Sequence, residues 1–333
     1  MKKILYLLSF LLYFNNAFSQ DPIFTQYFFL PETLNPAFTG FMETTYLGVI
    51  HRTQWPSLDL RVDTDYAFAS TWKERMNSGI GIAIFNSREN VTNYSLTQFN
   101  LSYCYRVQLN DDWNLRLAVE GGLGLKNFAF DNLVLSDQIN INTGTINNSS
   151  IDPALENDKI YYPDFSAGVL YHSENAWIGI SAKHLNRPNI AFTAQENVPL
   201  EIFYSVNAGY EFLLARFIDV QLFPYETKMM LSANFMQQGE YNRLDFGTAF
   251  LFKRLLLGAT FATNPARNDS NSHLLTSINA FTGFQLDGFR LGLSYDFNTS
   301  KIGRTGGVYE VSLTYQFDLD IKCFGCPNYT GSN

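Results

Sequence analysis

Long runs of alternating apolar and polar residues occur throughout this chain. In Trp113–Lys126 the odd positions are apolar or Gly, while the even positions hold Asn, Arg, Ala, Glu, Gly and Lys. Phe289–Phe297 and Tyr309–Phe317 repeat the pattern, with Phe, Tyr, Leu and Val confined to one face. Alternation with period two over stretches of this length predicts tilted β-strands that are long enough to span a membrane.

The whole chain can be divided in this way into strands and connections. Short connections such as 110–112 and 253–254 alternate with longer ones such as 127–162 and 264–273, although 214–226 is long where a short turn is expected. An even-stranded barrel with both ends in the periplasm explains this alternation, whereas a soluble β-sandwich does not. The sequence therefore predicts an all-β, antiparallel outer-membrane barrel of about 14 strands: 44–51, 58–70, 78–87, 94–108, 113–126, 163–173, 176–185, 201–213, 227–237, 242–252, 255–263, 274–286, 288–298 and 307–317.

Composition and the first residues agree with an exported membrane protein. Aromatic residues make up 16% of the 333 residues, with 30 Phe and 19 Tyr. Residues 1–19 combine two Lys, an apolar stretch and an Ala-Phe-Ser end, which is typical of a secretory signal peptide. The formal net charge of −8 argues against nucleic acid as a partner. Outer-membrane lipid is the expected surrounding.

The segment that follows the signal peptide suits neither a long helix nor a central strand. Residues 20–43 are rich in aromatics and contain three prolines. A barrel of this size has a lumen that needs filling, so we expect this segment to fold inward as a hatch. Asn35, Pro36, Ala37 and Gly40 predict one helical turn, with Asn35 as its N-cap and Gly40 at its end. Residues 44–317 then form the barrel, and 318–333 a periplasmic tail.

Charged residues on the polar faces of the strands are expected to line the lumen. They form a solvated wall with scattered ion pairs, or else a constriction that selects a ligand. Inward polar side chains such as Arg116 or Glu120 are expected to hold the hatch turn. The full set is Arg61, Asp63, Asp65, Arg116, Glu120, Lys126, Arg290, Asp296 and Glu310.

Chemistry-bearing motifs are scarce. The four His residues are scattered, without the spacing of a metal site. "EGGLGLK" (120–126) lacks the spacing of a phosphate-binding loop. We therefore expect no enzyme activity, metal or cofactor. Cys323 and Cys326 form Cys-x-x-Cys in the tail, and in an oxidising compartment they are candidates for a local disulfide, with free or partner-linked thiols as the alternative.

Three stretches resemble the PorP/SprF family of outer-membrane proteins, which are associated with type IX secretion and gliding. They are "FTQYFFLPETLNPAFTG" near the N-terminus, "LSYDFNTSKIGRTGGVYEVSLTYQF" (293–317), and the Cys-x-x-Cys-Pro tail. In "GGVYEVSL", Val308 and Tyr309 replace an expected polar pair, while Glu310 is retained.

The resemblance implies a non-enzymatic barrel that helps a secreted partner, such as a large adhesin, to reach or stay on the cell surface. It also implies contacts with periplasmic peptidoglycan-binding proteins or lipoproteins. The alternatives are a FadL-like uptake channel for hydrophobic molecules, which shares an Asn-Pro-Ala hatch turn, and a scaffold in another envelope machine.

Overall fold

The computed structural model describes residues 21–128, 134, 136–141, 143–147, 158–193, 196–216, 226–265, 274–299 and 305–317. In these residues none of the helices has the length and apolarity needed to cross a membrane. The helical segments are short 3-10 helices, at Pro31–Thr33, Pro36–Phe38, Glu74–Met76, Ser136–Gln138 and Leu214–Arg216.

Strands dominate the described residues, and fourteen of them close into an antiparallel barrel. Each pairs with its neighbour along the chain, and the first strand closes the barrel on the last. The barrel strands are β1 Tyr46–Gln54, β2 Val62–Lys73, β3 Ser78–Glu89, β4 Ser95–Gln108, β5 Asn114–Asn127, β8 Lys159–His172, β9 Ala176–Lys183, β10 Phe203–Leu213, β11 Lys228–Gln238, β12 Tyr241–Phe252, β13 Leu255–Thr263, β14 Leu275–Leu286, β15 Phe289–Asn298 and β16 Val308–Gln316. Two further strands, β6 Ile139–Asn140 and β7 Thr145–Ile146, form a separate hairpin in the β5–β8 connection.

Side chains alternate between an outer apolar face and an inner face. On β1, Leu47 and Val49 are exposed while Tyr46, Ile50 and Arg52 are buried. The same alternation on neighbouring strands gives a continuous outer surface of Ile, Leu, Phe, Val and Tyr. An outer face of this kind is what a strand presents to lipid, because successive side chains point to opposite sides of the sheet.

The two ends of the barrel differ. The chain reaches β1 and leaves β16 at the same end, which we call the terminal end. Connections there include the tight turns after β4, β8, β12 and β14. The opposite end, which we call the loop end, carries the connection with the β6–β7 hairpin and the segment between β9 and β10.

The predicted fold is confirmed: the barrel is closed, antiparallel and fourteen-stranded over the described residues. Predicted and observed strand bounds agree to within a few residues, as at 94–108 against Ser95–Gln108. The β6–β7 hairpin was not predicted, because two-residue strands carry no readable period. The proposed signal peptide and the tail lie outside the described residues.

Candidate functional site: the N-terminal segment in the lumen

The N-terminal segment, residues 21–43, fills the inside of the barrel. Leu30, Asn35 and Ala37 are fully buried, and Phe24, Phe29 and Phe38 are at most 4% exposed. Their neighbours are inward-facing side chains of opposite walls, including Tyr66 and Phe68 of β2 and Phe281 of β14. Because each large side chain contributes roughly 1.5–3 kcal/mol when it is fully buried, this packing offsets part of the entropy lost on ordering the segment.

The Glu310 carboxylate on β16 holds the start of the segment. It accepts hydrogen bonds from the backbone N–H groups of Thr25 (2.9 Å) and Gln26 (3.0 Å). Its Oε1 lies 2.7 Å from Nη1 of Arg52 on β1, and both side chains are buried. A buried ion pair is tolerated only where further hydrogen bonds satisfy its atoms, and here the segment's own backbone provides them. Glu310 and Arg52 therefore form one anchor for the segment.

The Gln26 side chain strengthens the same anchor. Its Nε2 donates to the hydroxyl of Ser294 and to the carbonyl of Glu310, both at 3.0 Å. Its Oε1 accepts from the hydroxyl of Ser312 at 2.5 Å. Both the nitrogen and the oxygen of this buried amide are therefore hydrogen-bonded to β15 and β16, which fixes the segment against that wall.

The second anchor is the turn that begins at Asn35, on the opposite wall. The Asn35 Oδ1 accepts from the N–H of Ala37 (2.9 Å), which caps the 3-10 helix Pro36–Phe38. Its Nδ2 donates to the carbonyl oxygens of Val169 on β8 (3.1 Å) and Ile180 on β9 (3.4 Å). One amide therefore both shapes the turn and attaches it to the barrel.

Arg116 on β5 fixes the remainder of this turn. It is fully buried, and it donates from Nε to the carbonyl of Ala37 (3.1 Å) and from Nη2 to that of Thr39 (2.7 Å). The Cys104 thiol also donates to the Ala37 carbonyl (3.3 Å), and the Thr39 hydroxyl donates to Ser102 (2.9 Å). The turn's carbonyl groups are therefore paired with barrel side chains, as buried carbonyls require.

Two glycines allow the segment to pass close to the wall at the terminal end. Gly40 has a φ of +66°, a left-handed conformation that glycine adopts without strain. A Cβ atom at Gly79, on β3, would clash with the carbonyl of Thr39. The backbone of the segment can approach β3 only because neither residue has a side chain.

The third attachment lies at the loop end, where the described chain begins. Nε2 of His184, just after β9, lies 2.7 Å from the Asp21 carboxylate, and its Nδ1 lies 2.8 Å from Asp164 on β8. The Asp21 N–H donates to Oε1 of Gln238 (2.8 Å). Burial alone would lower the pKa of His184, but the two carboxylates outweigh it and raise the pKa to about 10. Burial would raise the pKa of Asp21, but the charges of His184 and Lys183 hold it below its usual value.

Glu32, in the 3-10 helix Pro31–Thr33, carries a second perturbed carboxyl. It is 8% exposed, and no described residue hydrogen-bonds its Oε2. Burial raises its pKa to about 8, since the ionised form has lost its water. At neutral pH this carboxyl is therefore mostly protonated.

Small cavities accompany the segment inside the barrel. One of about 50 Å³ lies at the loop end beside Asp21 and His184. Others of about 20 Å³ and 30 Å³ lie beside Phe28. A larger outer groove of about 1170 Å³ faces the lipid side. Residues of β1 to β5, β8, β15 and β16 line it, and these strands are paired with their neighbours in the barrel.

The structure brings most of the predicted lumenal residues to the inner face. Arg116 and Glu310 contact the segment directly, as above. Glu120 lines the loop-end cavity, and Arg290 lies over the Phe29 ring at 5.7 Å. Two more predicted residues face inward. Asp296 is 5% exposed, and the Lys126 ammonium lies over the rings of Tyr94 and Phe192.

Arg61, Asp63 and Asp65 do not line the lumen, which corrects the prediction. Asp63 and Asp65 lie on the outer face of β2, because Thr64 between them is buried. Tyr66 and Phe68, which follow on the same inner face, pack on the segment. Arg61 pairs with Asp63 at 2.9 Å, and its side chain is half exposed. Charged residues are tolerated on the outer face here because they lie at the loop end of β2, beyond the apolar part of the strand.

A hydrogen-bonded chain on that outer face resembles a nucleophilic triad in its connectivity. His51 Nδ1 lies 2.7 Å from Asp65, and Nε2 lies 3.1 Å from the hydroxyl of Thr53. The Thr53 hydroxyl, however, donates to the Asp63 carboxylate at 2.8 Å. A nucleophile must give its proton to the imidazole, so the arrangement does not support catalysis. Among the described residues, no cluster of His, Cys, Asp and Glu suits a metal ion.

Sequence reasoning missed several members of the site. Arg52, Asp21 and His184 act through partners that are more than 160 residues away, which no local pattern reports. The sequence gives one weak indication for Arg52, because it is a charged residue on the inner face of a strand with alternating polarity. The proposed disulfide pair Cys323 and Cys326 lies outside the described residues.

Comparison with known families decides the identity of the barrel. The family model described as type IX secretion system membrane protein PorP/SprF matches residues 16–315, which is most of the chain. The chain belongs to the PorP/SprF family. Family membership and a closed barrel with an apolar outer face make it an outer-membrane protein of the type IX secretion system. The family and the barrel are non-enzymatic kinds of protein. No curated protein shows significant similarity to the chain.

Three solved structures show partial similarity to the chain, each with a TM-score below 0.5. The Acinetobacter baumannii protein Omp33 is 7% identical with a TM-score of 0.43, over 84% of this chain and 100% of that one. A Pseudomonas aeruginosa FadL homologue is 10% identical with a TM-score of 0.44, over 85% and 93%. A mutant of the TodX monoaromatic hydrocarbon channel is 10% identical with a TM-score of 0.47, over 84% and 91%.

Proposed function

We propose that this PorP/SprF protein is a closed membrane component that helps a secreted protein, such as a large adhesin, to reach or stay on the cell surface. The observation that carries the proposal is the filled lumen. The N-terminal segment is attached to opposite walls through Glu310 and through Asn35 with Arg116. A barrel sealed in this way acts through its two exposed ends rather than as an open conduit.

An uptake channel for hydrophobic molecules would need an apolar passage through the barrel wall, from the outer face into the lumen. The large outer groove has apolar walls, but its floor consists of paired strands. The described residues therefore favour the closed component over the channel, and we place its terminal end in the periplasm, where peptidoglycan-binding partners or lipoproteins would meet it.

Deleting the gene in its own host tests this proposal. The surface and medium proteins of the deletion strain are compared by mass spectrometry with those of the parent and of a complemented strain. We expect one or a few secreted proteins to be lost from the surface, while other type IX substrates remain. An unchanged surface proteome, together with slower uptake of a hydrophobic compound, would refute the proposal and favour the channel.

A further inference from the structure

The first four described residues are attached differently from the rest of the N-terminal segment. Asp21 is held by its contacts with His184 and Gln238. Pro22 has no N–H group to donate, and Ile23 and Phe24 contribute apolar packing. From Thr25 onward the segment is held by the dense hydrogen bonds to β15 and β16. A boundary therefore lies at Thr25, between a part held by Asp21 and by apolar packing and a part held by hydrogen bonds to β15 and β16.

Residues 21–24 cover a cavity. The loop-end cavity of about 50 Å³ is lined by residues 21–24, by Thr33 and Leu34 further along the segment, and by wall residues that include Glu120, Ser166 and Lys183. Displacing residues 21–24 would remove one side of this cavity and join it to the space at the loop end. The anchors at Glu310 and Asn35 take no part in lining it.

The wall at this point is also irregular. The β8–β9 ladder ends at Ala167 opposite Ala182, and His184 follows in a left-handed conformation with a φ of +60°. Beyond it, the N–H of Leu185 donates to the carbonyl of Phe165 at 2.9 Å. His184 therefore projects from an irregular segment and not from a paired strand, so loss of its contact with Asp21 breaks no hydrogen bond of the barrel ladder.

We propose that residues 21–24 form a releasable latch: they detach from His184 as a unit and open the loop-end cavity, while the anchors at Glu310 and Asn35 keep the rest of the segment in place. The latch is a conformational device of the lumen, and the proposal does not depend on which secreted protein the barrel serves.

Charges around His184 determine when the latch is held. Asp21, Asp164 of β8 and Glu120 of β5 are the acidic groups that face it, and Lys183 of β9 is the neighbouring base. The raised pKa of His184 means that this stabilisation is complete below about 6.5 and is lost as the pH rises through about 10. The lowered pKa of Asp21 means that its contribution is present above 3.8 and is lost as the pH falls below that value. At neutral pH the latch is therefore held, and release needs a competing anion or a substitution.

A thiol reporter in the cavity wall tests the proposal in the full-length protein. Ser166→Cys lines the cavity, and its reaction with a small cationic methanethiosulfonate is followed by mass spectrometry at pH 7. The reporter is combined with Asp21→Asn or with His184→Leu. Asp65→Asn is the matched control, because it weakens an Asp–His contact on the exposed outer face. Native Cys104, fully buried at the second anchor, reports in the same sample on loss of the whole segment.

We expect Asp21→Asn and His184→Leu to speed labelling at residue 166 by about tenfold or more, the size expected for local opening after loss of a buried charge contact. Labelling at Cys104 should stay slow, and Asp65→Asn should behave as the native protein. Equal rates at residue 166 in all backgrounds would overturn the latch. Equal acceleration at Cys104 would also overturn it, because the segment would then leave as a whole. Heat-modifiable gel migration verifies that each variant is a folded barrel.

Discussion

Glu310→Gln is the most informative single substitution at the first anchor. It keeps the size of the side chain but removes the negative charge that faces Arg52 at 2.7 Å. The same oxygens accept from the N–H groups of Thr25 and Gln26. An amide has one acceptor oxygen, so one of these partners loses its bond.

The expected cost follows from burial. Both members of the pair are at most 7% exposed in their side chains, and removing one partner of a buried pair costs about 3–5 kcal/mol because the other charge is left uncompensated. Weakened hydrogen bonds from Thr25 and Gln26 contribute in the same direction, about 1 kcal/mol each. We therefore expect the free energy of unfolding to fall by at least about 3 kcal/mol.

Urea unfolding in detergent micelles measures that free energy, and hydrogen exchange localises the effect. The amides of Thr25 and Gln26 should lose protection first, since they donate directly to Glu310. Arg61→Gln is the control, because the exposed Arg61–Asp63 pair should contribute no more than about 1 kcal/mol. A loss in Glu310→Gln as small as that of the control, with both amides still protected, would refute the anchor.

Three further predictions concern other parts of the chain. Gly79→Ala should lower the free energy of unfolding in urea by about 1–3 kcal/mol, because its Cβ would clash with the Thr39 carbonyl. Gly121→Ala is the control and should be near neutral, since its Cβ approaches only Phe165 at 3.8 Å. Equal losses of stability in the two variants would contradict the close approach at Gly79. Native stability should fall as the pH rises from about 4.5 to about 8, because Glu32 ionises in the unfolded state over this range but stays protonated in the folded state. Glu32→Gln should therefore have a higher melting temperature than the native protein at pH 9 and the same melting temperature at pH 4. A difference in melting temperature that does not change with pH would argue against a protonated Glu32. Cys323 and Cys326 should resist alkylation without reductant in protein isolated from the envelope, and full alkylation of both would exclude their disulfide.

The barrel could be predicted from the sequence because its strands obey a simple rule. Runs such as Phe289–Phe297 place every second residue in lipid, so the period of two is strong over the full strand. The turn at Asn35 was also readable, since capping and proline preferences act within a few residues. Both features are local, and local features can be predicted from the sequence without knowledge of the fold.

The contacts within the lumen depend on the whole fold. Asp65 carries a charge on the outer face at the end of β2, while the inner face there holds Tyr66 for packing against Phe24. Polarity alone therefore gave the wrong side for Asp65. The pairing of Asp21 with His184 depends on the path of the segment across a closed barrel. No spacing between residues in the sequence reports that path.

Deleting residues 22–40 and recording single-channel conductance in planar bilayers tests the central claim most directly. The variant is first shown to be a folded barrel by heat-modifiable migration on a gel. If the N-terminal segment closes the lumen, its removal should leave an aqueous passage and raise the conductance well above that of the native protein. If the conductance does not change, the segment is not what closes the barrel, and its buried aromatics serve another purpose.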